Sequence, residues 1–240
     1  MPDGEMLELA PQQVREMFTR VAPRYELGNT LLTGGMDRRW RKLIQRLAAF
    51  GPDEHLLDLA TGTGQLAFDA RRRQPTARIV AADLTPEMLD VARRQPGAET
   101  IEWLEMDAHS LPFDDDAFDV ITHGYLLRYL VDDLDTALRE QWRVLKPGGR
   151  LVALETGPGR EGPLGSLARA VGGRWPRIVG RLIGSDPGDY GFLQESTLAF
   201  LRPAPLAAAL ERAGFTDVRH HGFLQGMVCV HSAVKPDPNK

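Results

Sequence analysis

A doubly wound α/β sheet, with strands and helices in alternation, is the fold that this chain of 240 residues predicts. Three observations predict it. Short apolar runs alternate with helix-period segments between residues 55 and 155. The first run, Leu56-Leu57-Asp58-Leu59, ends in the glycine-containing turn Ala60-Thr61-Gly62-Thr63-Gly64, and the second, Ile79-Val80-Ala81-Ala82, closes on Asp83. Further on, Leu145-Lys146-Pro147-Gly148-Gly149 stops a helix and leads into a strand.

The elements follow in order. Residues 11–50 read as helical, with Val14, Met17, Phe18 and Val21 on one helical spacing, Trp40, Leu43, Ile44 and Leu47 on another, and Gly34-Gly35 between them. Next come strand 55–60, helix 65–73, strand 78–83, helix 86–95, strands 101–106 and 118–123, helix 133–146 and strand 149–155. Thr85 suits an N-cap, and Pro86 suits the first helical position after it. Helix 206–213 ends at Gly214, Phe215 opens a strand, and a last strand over 226–233 closes the sheet. The length bounds this to a single domain. Within it we distinguish a helical cap (10–50), a ligand-binding core (51–156), an insertion (157–205) and a closing helix and strands (206–234).

A hydrophobic share of 42% and a charged share of 26% are those of a globular protein, and a net charge of −4 offers no general attraction to nucleic acid. Cys229 is the one cysteine, which excludes an internal disulfide framework, fits a reducing compartment, and reads as a buried strand position. No secretory signal and no membrane-spanning run are visible, so the expected location is cytoplasmic. His220-His221 has no carboxylate or cysteine at ligand spacing, and no metal site is expected.

The turn and Asp83 suit a nucleotide-like ligand. Glycines let the backbone approach it, and Asp83 can accept from two ribose hydroxyls. A tight connection without a ligand is the alternative. A dinucleotide enzyme would carry a further glycine and a pyrophosphate on the helix start. Asp58 at the strand end would repel that pyrophosphate but suits an ammonium, such as that of S-adenosylmethionine. Between Glu155 and Leu206 the chain is rich in Gly, Pro and Arg, and an insertion there is placed to cover a substrate. Across 162–185 Arg169, Arg174, Arg177 and Arg181 interleave with Leu164, Leu167, Val171, Trp175, Ile178, Val179, Leu182 and Ile183. Such a stretch suits an anionic bilayer surface, or equally a lid helix with solvated arginines.

Taken together the residues resemble the ubiquinone/menaquinone biosynthesis C-methyltransferases, class I S-adenosylmethionine-dependent enzymes, over roughly residues 13–235. The resemblance rests on Val14-Arg15-Glu16-Met17-Phe18 through Arg20-Val21-Ala22 to Arg24-Tyr25 and Asn29, on Asp37-Arg38-Arg39-Trp40-Arg41, and on Asp58 to Gly64. It continues with Asp107-Ala108, Leu111-Pro112-Phe113, Leu145 to Gly149, Asp189-Tyr190, Leu193, Glu195-Ser196 and Ala213-Gly214-Phe215. The central motifs are shared by many class I methyltransferases. The blocks around Phe18, Tyr25 and Trp40, and around Tyr190 and Glu195, are much more specific.

The resemblance implies seven strands with the last antiparallel, N-terminal helices, a helical lid, and S-adenosylmethionine as methyl donor. It implies cofactor contacts from Thr63, Asp83, Asp107 and Ala108, to which the residue chemistry adds Asp58, Gly62 and Gly64. Tyr129 and Tyr190 are the candidate substrate contacts. Four departures stand out: Arg128-Tyr129 where the family carries Arg-Asn, Leu126 for a glycine, His123 for an apolar residue, and Gln65 for Asp.

Ring methylation needs a base, or a cation that stabilises a phenolate. Arg128 suits the cation, Tyr25 completes a hydrogen-bond chain, and His123 has the ordinary pKa of a direct base. The leading expectation is therefore C-methylation of a prenylated quinol. A different phenolic acceptor, methylated at oxygen or carbon, is the first alternative, and a non-catalytic S-adenosylmethionine-binding assembly subunit is the second. A peripheral membrane contact through 162–185 and a homodimer are compatible with this reading.

Overall fold

Seven strands in the order β3-β2-β1-β4-β5-β7-β6 form the sheet in the computed structural model, which describes residues 11–163, 165, 175–184 and 187–239. The strands are β1 (His55–Leu59), β2 (Arg78–Asp83), β3 (Glu102–Glu105), β4 (Phe118–Gly124), β5 (Leu145–Thr156), β6 (Thr216–Phe223) and β7 (Val228–Val234). β1 to β5 run parallel. β7 is antiparallel to both β5 and β6, so the last strand inserts between its neighbours instead of closing an edge. Strand order reverses between β1 and β4, which opens a crevice at their carboxyl ends.

The apolar runs become central strands because helices cover both faces. Leu56, Ile79, Val120, Val152 and Val230 face α3 (Asp37–Ala48) and α4 (Gln65–Arg73). Leu59, Ile121, Leu151 and Ala233 face α6 (Leu134–Val144) and α9 (Pro203–Arg212). Asp133 caps α6, its side chain accepting from the Thr136 N–H. α5 (Pro86–Arg93) starts at Thr85 with Pro86 in its first turn, as expected, but Thr85 makes no side-chain cap bond; its own N–H donates to the Asp83 Oδ1 at 2.9 Å.

The largest boundary difference from expectation, four residues, is at β5. β5 begins at Leu145 and not at Gly149, because Leu145 already pairs with Phe118. The Pro147-Gly148-Gly149 segment is then a register shift inside the strand. Gly148 donates to the Lys235 carbonyl and Gly149 accepts from the Lys235 N–H, each at 2.9 Å.

The cap comprises α1 (Pro11–Val21) and α2 (Tyr25–Thr33), joined by the short turn Ala22–Arg24, and then α3. The insertion supplies α7 (Trp175–Leu182) and α8 (Pro187–Ala199). Val179, Ile183 and Tyr190 pack on Val21, Ala22 and Met88. Arg20 clamps α1 to α8 through Asp189 at 2.6 Å, and the Arg24 guanidinium donates to the Ile183 and Gly184 carbonyls. Cap and insertion therefore meet over the crevice. Arg169 and Arg174 of the expected basic stretch, with Leu164, Leu167 and Val171, lie outside the described residues.

Candidate functional site

Two adjoining cavities occupy the crevice. The first, about 110 Å³, is bounded by the turn after β1, the ends of β2 and β3, and α1. The second, about 450 Å³, lies between the cap and the insertion. Phe18, Tyr25 and Tyr125 line both, so these rings form the partition.

In the first cavity, Asp83 sits at the end of β2. Its Oδ2 accepts from the Gly62 N–H at 2.8 Å and its Oδ1 from the Thr85 N–H. Burial raises its pKa despite these donors. A carboxylate has about four acceptor positions, so capacity remains for a diol. Gly62 holds φ +56° with no atom near where a Cβ would stand, which leaves its backbone open to a ligand. Asp107 and Ala108 line the far side, where the Asp107 Oδ1 is engaged by the N–H and ring of His109.

Three expected donor contacts stand elsewhere. Asp58 is buried beneath the turn and lines neither cavity. Its oxygens accept from the Thr61 and Thr122 hydroxyls at 2.5 and 2.7 Å, and burial pushes its pKa up to about 7. It braces the turn from below. The Thr63 hydroxyl bonds the Glu26 carboxylate of α2. Gly64, at φ +86°, starts α4, and a Cβ there would meet the Trp103 ring at 2.6 Å. Its glycine answers to packing.

The second cavity carries Arg128 and Tyr190, whereas Tyr129 lines the first. Arg128 is 7% exposed on the single turn Leu127–Tyr129. Its guanidinium donates to the Thr156 hydroxyl and, at 2.8 Å, to the Tyr129 hydroxyl, and it lies 5.2 Å from the Tyr125 ring centroid. The Nε of Arg128 is buried with no partner among the described residues. Tyr129 packs edge-on to Phe18 at 5.5 Å and stacks on Phe192 at 6.3 Å. Tyr190 lines the wall, held where Gly28 and Gly180 leave room for its ring. Burial, reinforced by Tyr125 and Tyr129, holds the Tyr25 phenol far above its usual pKa, so Tyr25 is a neutral hydrogen-bonding group.

His123 is not placed as a base. It is 0% exposed, lies on the sheet face under α6 and α9, and lines neither cavity. Burial drives its pKa down to about 3, so it is neutral and shielded from any acceptor in the crevice. Two residues of weight escaped the sequence reading. Tyr125 follows β4 at φ +62°, a strained conformation for a non-glycine that aims the turn into the crevice. Glu155, at the end of β5, accepts from the Leu127 N–H at 2.7 Å. An aromatic ring one step beyond a core strand, and a carboxylate within the last two residues of one, are the signals that would have found them.

The ubiE/COQ5 methyltransferase family model matches residues 6–235. A demethylmenaquinone methyltransferase of Thermus thermophilus is 43% identical over 222 residues, 92% of this chain and 100% of that protein. The ubiquinone/menaquinone biosynthesis C-methyltransferase UbiE of Desulfotalea psychrophila is 38% identical over 92% of this chain and 90% of that protein. Solved structures share the fold at low identity. The [4+2]-cyclase SpnF superposes with TM-score 0.68 at 21% identity, covering 94% of this chain and 96% of that one. A Haemonchus contortus phosphoethanolamine N-methyltransferase bound to S-adenosylhomocysteine reaches 0.66 at 16%, covering 93% and 60%. With a family match across almost its whole length and relatives aligned end to end, the chain belongs to the ubiE/COQ5 methyltransferase family.

Proposed function

We propose that this protein methylates a ring carbon of a prenylated quinol with S-adenosylmethionine as donor, in quinone biosynthesis. The observation that carries the acceptor is the second cavity. It is large, walled by Val21, Leu32, Leu193 and Val228, and has one buried cation, Arg128, near the aromatic partition. An isoprenoid tail suits the apolar walls, and a quinol oxygen suits the Arg128 guanidinium where it lines the cavity. The names of the relatives support the same reaction.

The first cavity fits the donor. Asp83 suits the ribose hydroxyls, Asp107 and Ala108 the adenine, and the open backbone at Gly62 the amino-acid end. Asp58, Thr63 and Gly64 serve by shaping the turn. When bound, S-adenosylmethionine supplies an electrophilic methyl carried on a sulfonium. Phe18, Tyr25 and Tyr125 offer aromatic faces that suit such a cation and exclude water between the two cavities. Arg128 stabilises the phenolate that makes the ring carbon nucleophilic. Since Arg128 stays charged and Tyr25 stays neutral, neither takes the phenol proton. They suit a water that relays it to solvent, and the ring carbon's own proton leaves the same way once the methyl is attached. Tyr190 bounds the tail portion of this cavity, and Tyr129, which lines the first cavity, faces the ring from the donor side.

Trp175, Ile178 and Leu182 on α7 are 42%, 44% and 72% exposed, and Trp175 and Leu198 stand at the second cavity's rim. Arg181 is exposed beside them. No helix among the described residues is long and apolar enough to cross a membrane. This surface supports a peripheral docking on anionic lipid, which delivers a tailed substrate directly to the cavity. Incubation with labelled S-adenosylmethionine and a panel of demethylated quinols and soluble phenols, read by mass spectrometry, tests the assignment. Transfer to the phenols alone would replace the quinol reading.

A further inference from the structure

Behind the turn that carries Arg128, the sheet face is polar where an ordinary core would be apolar. His123 on β4 and His231 on β7 both pair in register with Ala153 on β5, so all three side chains project to one face. Glu155, two residues beyond Ala153, projects to it as well. Gln141 of α6 belongs to the same group, and Glu155, His123, His231 and Gln141 are each no more than 2% exposed. Burying a carboxylate there is costly unless it is paired or hydrogen-bonded. Its Oε1 accepts from the Leu127 N–H at 2.7 Å and lies 3.8 Å from the His123 Nδ1, while its Oε2 has no partner among the described residues.

Arg128 is a cation within electrostatic reach of Glu155, its guanidinium held by the Thr156 and Tyr129 hydroxyls. Burial lowers the guanidinium's pKa, but Tyr129 and Glu155 more than offset this and hold it above its usual value. The other groups around Glu155 carry no charge near neutrality. Burial holds His123 and His231 down to about 3 and about 4, and keeps the Tyr125 phenol well above its usual value. Leu127 immediately precedes Arg128, so a bond to its N–H fixes the turn from the side opposite the acceptor cavity.

We propose that Glu155 is the positioning residue of Arg128, gripping the Leu127 N–H from behind and supplying the buried countercharge that holds the guanidinium toward the acceptor. The proposal rests on the reading that Arg128 meets the quinol oxygen. Glu155 touches neither cavity and takes no part in bond making. It works as a carboxylate, and burial pushes its pKa up to about 7 against the opposing pull of Arg128 and the backbone donors. The countercharge is thus present above about pH 7 and is lost as pH falls through it.

The test compares the intact chain with Glu155→Gln and Glu155→Leu by demethylmenaquinol turnover, S-adenosylmethionine titration and hydrogen exchange at the Leu127 amide. Glu155→Gln keeps an acceptor but no charge. It should preserve Leu127 protection, lower kcat about tenfold with KM within about threefold, and lose the rise of kcat through pH 7. Glu155→Leu should speed Leu127 exchange and lower kcat about a hundredfold, with donor affinity within about threefold. Wild-type kcat and pH profile in Glu155→Gln, retained Leu127 protection in Glu155→Leu, or donor binding lost in step with kcat each overturn the proposal. An Arg128→Leu variant with full turnover would instead overturn the role of Arg128, while Leu127 exchange still reports on Glu155.

Discussion

Asp83 takes two backbone N–H donors and still faces the first cavity, so its loss should be felt as lost charge-assisted hydrogen bonding. Asp83→Ala should weaken S-adenosylmethionine binding by about 1–3 kcal/mol in calorimetry. Arg128→Leu should behave differently. Donor affinity should stay nearly intact while kcat falls, because its contact forms with developing phenolate charge. Asp58 makes a prediction in pH. Its folded pKa, about 7, is raised above the ordinary carboxylate value, so the folded state binds the proton more tightly and this contribution to stability is lost as pH rises toward 7. In Asp58→Asn that dependence disappears, and the variant's Tm relative to the parent should climb between about pH 4 and pH 7 and level off above. That Asp83 and Gly62 line the crevice was legible from motif and strand end, and that Asp107 does so from the family resemblance. The face of His123 was not, because alternation tells which residues share a side and only the position of α6 and α9 tells which side is the crevice.

At the scale of elements, the lid depends on two small residues that meet one ring. A Cβ at Gly28 would stand 2.3 Å from the Tyr190 hydroxyl, and one at Gly180 would stand 2.8 Å from the Tyr190 ring. Alanine in a helix ordinarily gains about 0.5–1 kcal/mol over glycine. Here the crowding should outweigh that gain, at roughly 1–3 kcal/mol for an overpacked contact. Gly180→Ala should lower Tm and raise KM for a tailed quinol, with little change in donor affinity. The core strands and helices were readable because period and turn chemistry agreed at each boundary. The start of β5 was not, since Pro147-Gly148-Gly149 signals a break locally while pairing of Leu145 with Phe118 carries the strand through it. The position of β7 between β5 and β6 is likewise a property of pairing and not of any local pattern.

For the whole molecule, the topological switch between β1 and β4 creates the crevice, and the cap and insertion convert it into two cavities divided by aromatic rings. The exposed apolar side chains of α7, of which Trp175 stands at the rim of the larger cavity, predict with the exposed Arg181 binding to anionic vesicles that fades as salt shortens the screening length. A Trp175→Ser/Leu182→Ser variant should sediment less with such vesicles and turn over tailed substrate more slowly, yet spare a tail-less analogue; equal loss on both would mean that α7 only holds the cap. The central claim is tested most directly by mass spectrometry of the product formed from methyl-labelled S-adenosylmethionine and a demethylated, prenylated quinol. One labelled methyl on a ring carbon is expected, at a rate that Arg128→Leu strongly reduces. Label on oxygen, or no transfer to the quinol by a protein that binds the donor, would contradict it.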